Sequence, residues 1–584
     1  MILKNNIFKL FCAAAILFGM AACGGKGNTT PDTPDTPDKP STTEINGTTI
    51  VSGNNLIGLI TDSNTGKGIA GVPVTDGFTY TVTDANGVYQ MVANRYCRKV
   101  YYSTPAGYQI NLDSSTHLPL FYSSSTIDKY SVNRNDFKLT PMTISEDNFT
   151  LVMVGDPQCQ TTAQVARYTG ETIPDIRSTL NSAQALGKYQ NAYAMTLGDI
   201  VFDSNDLWAS MKKSMENVKL SSGNYIPFFN CIGNHDHNSQ TTSEFAATEN
   251  FVNNFGPTDY SFSRGKAHII VMDDVMCTST SVNSSPNKAT WNYEGGFTAS
   301  QYKWLQEDLN QVTDKADKLV ILCCHIPFRG GASSGGSSVD LDKYYGEVLT
   351  LLSQFKEAHL MIGHTHYSQN YVHSDYTCKG GLPIYEHIHG AACGGWWSCN
   401  SDVIGGPNGY NIYQIEGSSI VNWITKGTNR DIDFQLRVYD GNQTYGSKYT
   451  YNWYKSSNVG GSASISAKGN TALKDCFVAQ VWDDDDTYWT VEMYKDGSKV
   501  GNFTRLPNGS CGNICIASYF FNELGKNTST WTSTTASHYW YYKSTSGDPS
   551  SETGWEVRAT QVIPSTGKTN VYSCGTLTTN YSTF

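Results

Sequence analysis

Charge is scarce in this 584-residue chain: Asp, Glu, Lys and Arg together make up 16% of it. That excludes long charged tails and points to folded modules with polar, mostly uncharged surfaces. Positive charge is the scarcer sign, 41 Lys and Arg against 52 Asp and Glu, for a net charge of −11. A broad basic face for nucleic acid is therefore not expected. Beyond the first residues no apolar run is long enough to span a bilayer. The length is too great for one hydrophobic core, so two to four domains are expected.

The N-terminus reads as a processing segment. Lys4 and Lys9 precede a short apolar stretch, Ile7 to Leu17, which ends in Gly19-Met20-Ala21-Ala22-Cys23-Gly24. Small residues before a cysteine at this point resemble a bacterial lipobox, in which the cysteine becomes the lipidated first residue. Met20 stands where leucine is commoner. The resemblance implies a signal peptide over residues 1–22, lipidation of Cys23, and acyl chains as the only anchor in the lipid bilayer. Gly24 after the cysteine suggests the outer membrane, with the facing side open. Loss of the leader removes two lysines and takes the net charge from −11 to −13.

Of 15 cysteines, 13 remain once Cys12 and Cys23 are set aside, an odd number for an exported protein. Cys231, Cys323 and Cys324 lie in apolar runs and read as buried hydrophobes. Cys393 with Cys399, and Cys511 with Cys515, sit in glycine-rich segments where local disulfides are conceivable.

Residues 23–49 are rich in Thr, Pro, Asp and Gly and form an expected tether. Residues 50–140 carry short strand patterns with Gly and Asn-Gly turns, and look like the carboxypeptidase-regulatory-like β-sandwiches of exported proteins. With no catalytic cluster, this module reads as a spacer. Residues 146–400 alternate apolar strands with helical stretches at Val165–Tyr189, Asp206–Leu220 and Thr298–Val312, the last capped by Thr298. Residues 408–584 show strands and no helix, so a second β-sandwich is expected. The acidic run Asp483–Asp486 reads as a solvated turn, since it lacks a calcium-loop pattern.

Five short blocks carry the chemistry, each directly after an apolar run. Leu151–Val154 leads into Asp156-Pro157-Gln158, Tyr193–Leu197 into Gly198-Asp199, and Phe228–Ile232 into Gly233-Asn234-His235-Asp236. Leu319–Leu322 precedes His325, and Leu360–Ile362 leads into Gly363-His364-Thr365-His366. Parallel strands deliver their C-terminal ends to one edge of a sheet, and oxygen and imidazole ligands gathered there suit divalent metals. Singly each block is weak. All five in order resemble the calcineurin-like metallophosphoesterases over roughly 250 residues.

The resemblance implies an α/β fold, a metallophosphoesterase β-sandwich core flanked by helices, with the two β-sandwich domains on either side. It implies two divalent metal ions (Mn, Fe, Zn or Mg) bridged by Asp199. Asp156, Asp199 and His366 would hold the first, with Gln158 where the family usually has histidine. Asn234, His325 and His364 would join Asp199 on the second. A shared carboxylate offsets repulsion between dications ~3.5–4 Å apart. His235 would stabilise the phosphoryl group or protonate the leaving group, with Asp236 holding its ring.

Two departures stand out. Gln158 offers only a neutral carbonyl oxygen, which should loosen the first metal. Phe202 replaces the tyrosine ligand of the purple acid phosphatases, which disfavours that subtype. Arg329, Trp396 and Trp397 are candidate substrate contacts, and His387 and His389 read as structural. The function implied is hydrolysis of phosphomonoesters or phosphodiesters outside the cytoplasm, in the cell envelope, on a phosphorylated small molecule or glycan. Alternatives are a nucleotide or sugar-diphosphate hydrolase on the same fold, or a non-catalytic glycan-binding surface protein.

Overall fold

The computed structural model describes residues 44–185, 188–280, 292–329, 343–446, 449–459, 462–535 and 538–580. The proposed leader, Cys23 and all but the last residues of the tether lie outside the described residues.

The central domain is built on two facing sheets. The first runs Phe228–Cys231, Asn191–Leu197, Asn148–Val154, Gly409–Glu416, Ser419–Gly427 in spatial order. Its first three strands are mutually parallel and the remaining pairings antiparallel. The second runs Tyr260–Arg264, Ala267–Val271, Leu319–Cys323, Glu357–Ile362, Pro383–Ile388, Gln369–Thr377. Its four inner strands are parallel.

Side-chain alternation explains why these runs are apolar throughout. Leu151 and Met153 point between the sheets and meet Ile269, Val271, Ile321 and Cys323 from the other side. Val152 and Val154 point the opposite way and pack with Val165, Ile176, Trp208 and Met211 of the helical layer. On the second sheet, Ile270, Val320 and Leu322 pack outward on Trp304, Leu305 and Leu309 of helix Ala299–Asn310 and on Val348 and Leu352 of helix Tyr345–Leu352. The layers are thus helix, sheet, sheet, helix, and each fully buried aliphatic side chain contributes about 1.5–3 kcal/mol. Thr298 caps its helix as expected, accepting from the Gln301 amide at 3.3 Å in a capping box.

The expected break between 400 and 408 is not where this core ends. Gly409–Glu416 pairs with the central strand Asn148–Val154, so the chain closes the first sheet before it leaves. The N-terminal β module is also more than a spacer. Arg264 of the core is fully buried, donates to the Tyr108 and Pro105 carbonyls, and lies 3.1 Å from Glu146. Trp304 donates to Thr75, and Tyr80 to Asp308.

The C-terminal region is a second sandwich of two four-stranded sheets, one centred on Cys476–Val481 and Tyr539–Lys543, the other on Trp489–Lys495 and Trp555–Val562. Val438, Phe477 and Ala479 face Val491, Met493, Val557 and Ala559 between them. The expectation of no helix fails here. Ile514–Asn522 is helical, capped by the Asn513 side chain on the Ile516 amide. Most of the acidic run is not solvated either: Asp483, Asp484 and Asp485 are each 2% exposed or less, and Asp486 is exposed. All thirteen described cysteines are free thiols, so neither loop pair is bridged.

Candidate metal centre

The five blocks meet at one edge of the sandwich. Asp156, Gln158 and Asp199 follow the first sheet's parallel strands and are buried at its base. His325 follows the strand Leu319–Cys323 and is also buried. His364, His366 and His235 are partly open and form the rim.

Glycines make room for this convergence. Gly198 has φ +88°, and a Cβ there would lie 2.4 Å from the His325 ring nitrogen; one on Gly233 would lie 2.4 Å from Asp199 Oδ1. The site residues themselves are strained. Asp156, Gln158, Asp199, Asp203, His364, His366, Trp396 and Trp397 all have positive φ, half of the sixteen described non-glycine residues that do. Each such residue costs on the order of 1–3 kcal/mol and persists only where its surroundings over-determine it.

Two groups of ligand atoms share Asp199 and His325. In the first, Asp156, Asp199 and His325 bring one donor atom each within 4.8 Å of one another. His366 Nε2 lies 3.6 Å from Asp156 Oδ1, and Gln158 Nε2 donates to Asp199 Oδ2 at 2.8 Å. In the second, Asn234 Oδ1 lies 3.0 Å from both His325 Nε2 and His364 Nδ1, and Asp199 Oδ1 lies 3.4 Å from His325 Nε2. His325 Nδ1 is spent on the Leu197 carbonyl at 2.7 Å, which turns Nε2 into the cluster.

The donor set fits divalent cations. Asp156 Oδ1 and Gln158 Oε1 are buried without a hydrogen-bond partner, a costly arrangement in a protein interior unless a cation satisfies them. Burial and the charge on His325 push His364 down to about 3, and burial pushes His366 down to about 4. Both imidazoles are therefore neutral at pH 7, the form that ligates metal. Burial raises the Asp156 carboxyl, whereas for Asp199 the charges on His325 and His235 outweigh burial and lower it. Burial works against a charged His325, but Asp199 overrides it and lifts this imidazole to about 10.

His235 sits beside the cluster. Its backbone amide donates to Asp199 Oδ1 at 2.8 Å, and its ring nitrogen Nδ1 lies 3.2 Å from Asp203 Oδ1. The Phe202 ring stacks on it at 4.1 Å. Asp236, expected to hold this ring, does not. Its two oxygens accept from the amides of Val201, Ile200 and Gly233 and tie the two loops together from beneath. Asp203, four residues after Asp199, is the partner that sequence reasoning missed; a second carboxylate so soon after the Gly-Asp turn was the available signal.

The substrate candidates separate. Trp397 is buried, donates through Nε1 to the Pro157 carbonyl and packs beside Tyr168, so it is a packing residue and not a contact. Its neighbour Trp396 is half-buried, with its ring 5.0 Å from His366. Arg329 is exposed, with its amide on Glu386. Tyr293, not singled out from sequence, faces His364 edge-on at 6.5 Å. His387 and His389 are buried away from the rim, His387 against His359 and His389 between the Ile362 carbonyl and Tyr413.

Parallel strands ending in buried carboxylates beneath a rim of imidazoles define a hydrolase centre for metal ions. Family models agree: residues 149–368 match the calcineurin-like phosphoesterase domain, 54–142 its N-terminal domain and 386–566 its C-terminal domain. The chain belongs to the calcineurin-like phosphoesterases and is a phosphoester hydrolase. The N-terminal module, likened above to carboxypeptidase-regulatory domains, is thus a companion domain of this family. A comparison with curated proteins gives no match.

Proposed function

We propose that this protein hydrolyses phosphomonoesters or phosphodiesters of small molecules or glycans with a dinuclear metal centre, outside the cytoplasm. One observation carries the reading: Asp199 meets donors on both sides, Gln158 at Oδ2 and His325 at Oδ1. Asp156, Gln158, Asp199 and His366 would hold one cation; Asp199, Asn234, His325 and His364 would hold the other. Bound divalent ions supply Lewis acidity to the phosphoryl oxygens and to the attacking water.

The remaining chemistry belongs to the chain. His325, held through Nδ1 on the Leu197 carbonyl, would offer Nε2 to the second cation. Burial pushes the His235 imidazole down, but Asp199 and Asp203 outweigh it and raise it. Asp203 fixes the orientation of the ring through Nδ1. That leaves Nε2 as the atom that donates to the departing oxygen. Phe202 stacks on the ring and restricts its rotation.

The extracytoplasmic location rests on the charged start, the short apolar run and the small residues before Cys23. No described helix is long and apolar enough to cross a membrane. Metal analysis of the purified protein, together with hydrolysis of a chromogenic phosphate ester before and after chelation, tests the activity. Two metals per chain and chelator-sensitive turnover are expected. A metal-free protein with no turnover on any phosphate ester in added Mn²⁺ would overturn it.

A further inference from the structure

The two rim histidines His364 and His366 stand on one loop, at φ +71° and +67°. Strain of this kind has to be held from outside the loop. Part of the holding comes from the C-terminal domain, more than a hundred residues further along the chain.

Two lines of contact reach the loop. The first is polar. The Ser368 carbonyl, two residues past His366, receives a hydrogen bond from His538 Nε2. The other ring nitrogen of His538 lies 2.6 Å from Asp484 Oδ1. Asp484 is itself fixed by Arg505 and Trp540, both donating to Oδ2 at 2.8 Å. Two residues past Ser368, Asn370 donates to the carbonyl and the carboxylate of Asp483. The second line is aromatic. His366 meets Trp396 at 5.0 Å, Trp396 meets Trp531 at 4.9 Å, and Trp531 rests on Phe520 at 4.9 Å. Between the two lines, Tyr367 is buried in the same apolar cluster as Tyr439, Trp453 and Tyr539.

We propose that the C-terminal domain is a positioning element of the metal centre, with His538 setting the loop through the Ser368 carbonyl and Trp531 setting the His366 ring through Trp396. The proposal rests on the dinuclear reading above. It explains the burial of Asp483, Asp484 and Asp485, which would otherwise be a costly way to build a turn. Residues that orient metal ligands from behind typically change metal affinity 10–100-fold when removed. The same range is expected here although neither His538 nor Trp531 touches a ligand atom.

The test is calorimetric titration of Mn²⁺ into the chelator-stripped full chain. His538→Phe keeps the ring volume and removes both polar contacts; Trp531→Leu breaks the aromatic line at a half-buried position. Val557→Ala, inside the distal sandwich, loosens the same domain and removes none of the hydrogen bonds or ring contacts of either line. The proposal predicts that His538→Phe and Trp531→Leu each weaken Mn²⁺ binding by about tenfold or more. It also predicts that Val557→Ala binds as the unaltered chain does, and that kcat of both interface variants recovers at saturating Mn²⁺. Unchanged Mn²⁺ affinity in the two interface variants would overturn it, as would an equal loss in Val557→Ala. If His538→Phe does not fold, Trp531→Leu decides. If the unaltered chain takes up no Mn²⁺, the dinuclear reading fails and this proposal falls with it. If it binds normally and the interface variants match it, only the positioning role fails.

Discussion

Asp203 Oδ1 lies 3.2 Å from His235 Nδ1, while Asp236, the next residue after His235, turns away to three backbone amides. The residue that orients the proposed acid is thus supplied by the neighbouring strand-end loop, and the adjacent carboxylate holds the two loops together. These roles make different predictions.

His235→Ala should keep its metal and lose kcat by on the order of 10²–10⁴, the range for a positioned acid. Asp203→Asn should show a smaller loss in the same parameter, about 10-fold, also at full metal content. Metal analysis alongside steady-state kinetics separates the two; metal loss in His235→Ala would place that imidazole among the ligands.

Asp236→Ala should act on stability. It leaves three amides beneath the site without their acceptor, at about 1–3 kcal/mol for each buried group left unpaired. Thermal unfolding should begin at a lower temperature and metal retention should fall with it. An unchanged unfolding profile would remove Asp236 from its place as the tie between the loops.

Gln158→His should tighten the first metal. The amide oxygen of Gln158 is buried and unpartnered, but it is a neutral and weaker donor than imidazole towards zinc-like ions. The unaltered chain should therefore lose activity on dialysis and regain it on metal addition, and the variant should need less added metal. Coincident titration curves would show that this position does not contact metal.

Cys23→Ser should shift the protein from the membrane pellet to the soluble fraction, since no described helix offers a second anchor. Equal pelleting of both forms would contradict the lipobox reading.

The strand-end blocks were legible because each apolar run carries its ligands just past its own end. What the sequence concealed were choices made by remote partners. Gly409–Glu416 has the composition of a strand in either domain, and only its pairing with Asn148–Val154 assigns it to the core. Asp483–Asp486 has the look of an exposed turn until Asn370, Tyr385, Arg505 and His538 arrive from elsewhere in the chain. Ile514–Asn522 lies where no helix was expected, and the Asn513 cap is its sequence signal. Trp396 and Trp397 are indistinguishable as a pair of letters; the positive φ at both aims one ring at His366 and the other into the core.

Asp199 is the proposed bridge, with Gln158 at its Oδ2 and His325 at its Oδ1. The direct measurement is metal stoichiometry by elemental analysis of Asp199→Ala beside the unaltered chain, with turnover of a phosphate ester recorded on the same samples. A bridging role predicts about two metals per chain falling towards none, and turnover disappearing with them. Asp199→Ala that keeps two metals and near-normal turnover would contradict the dinuclear centre.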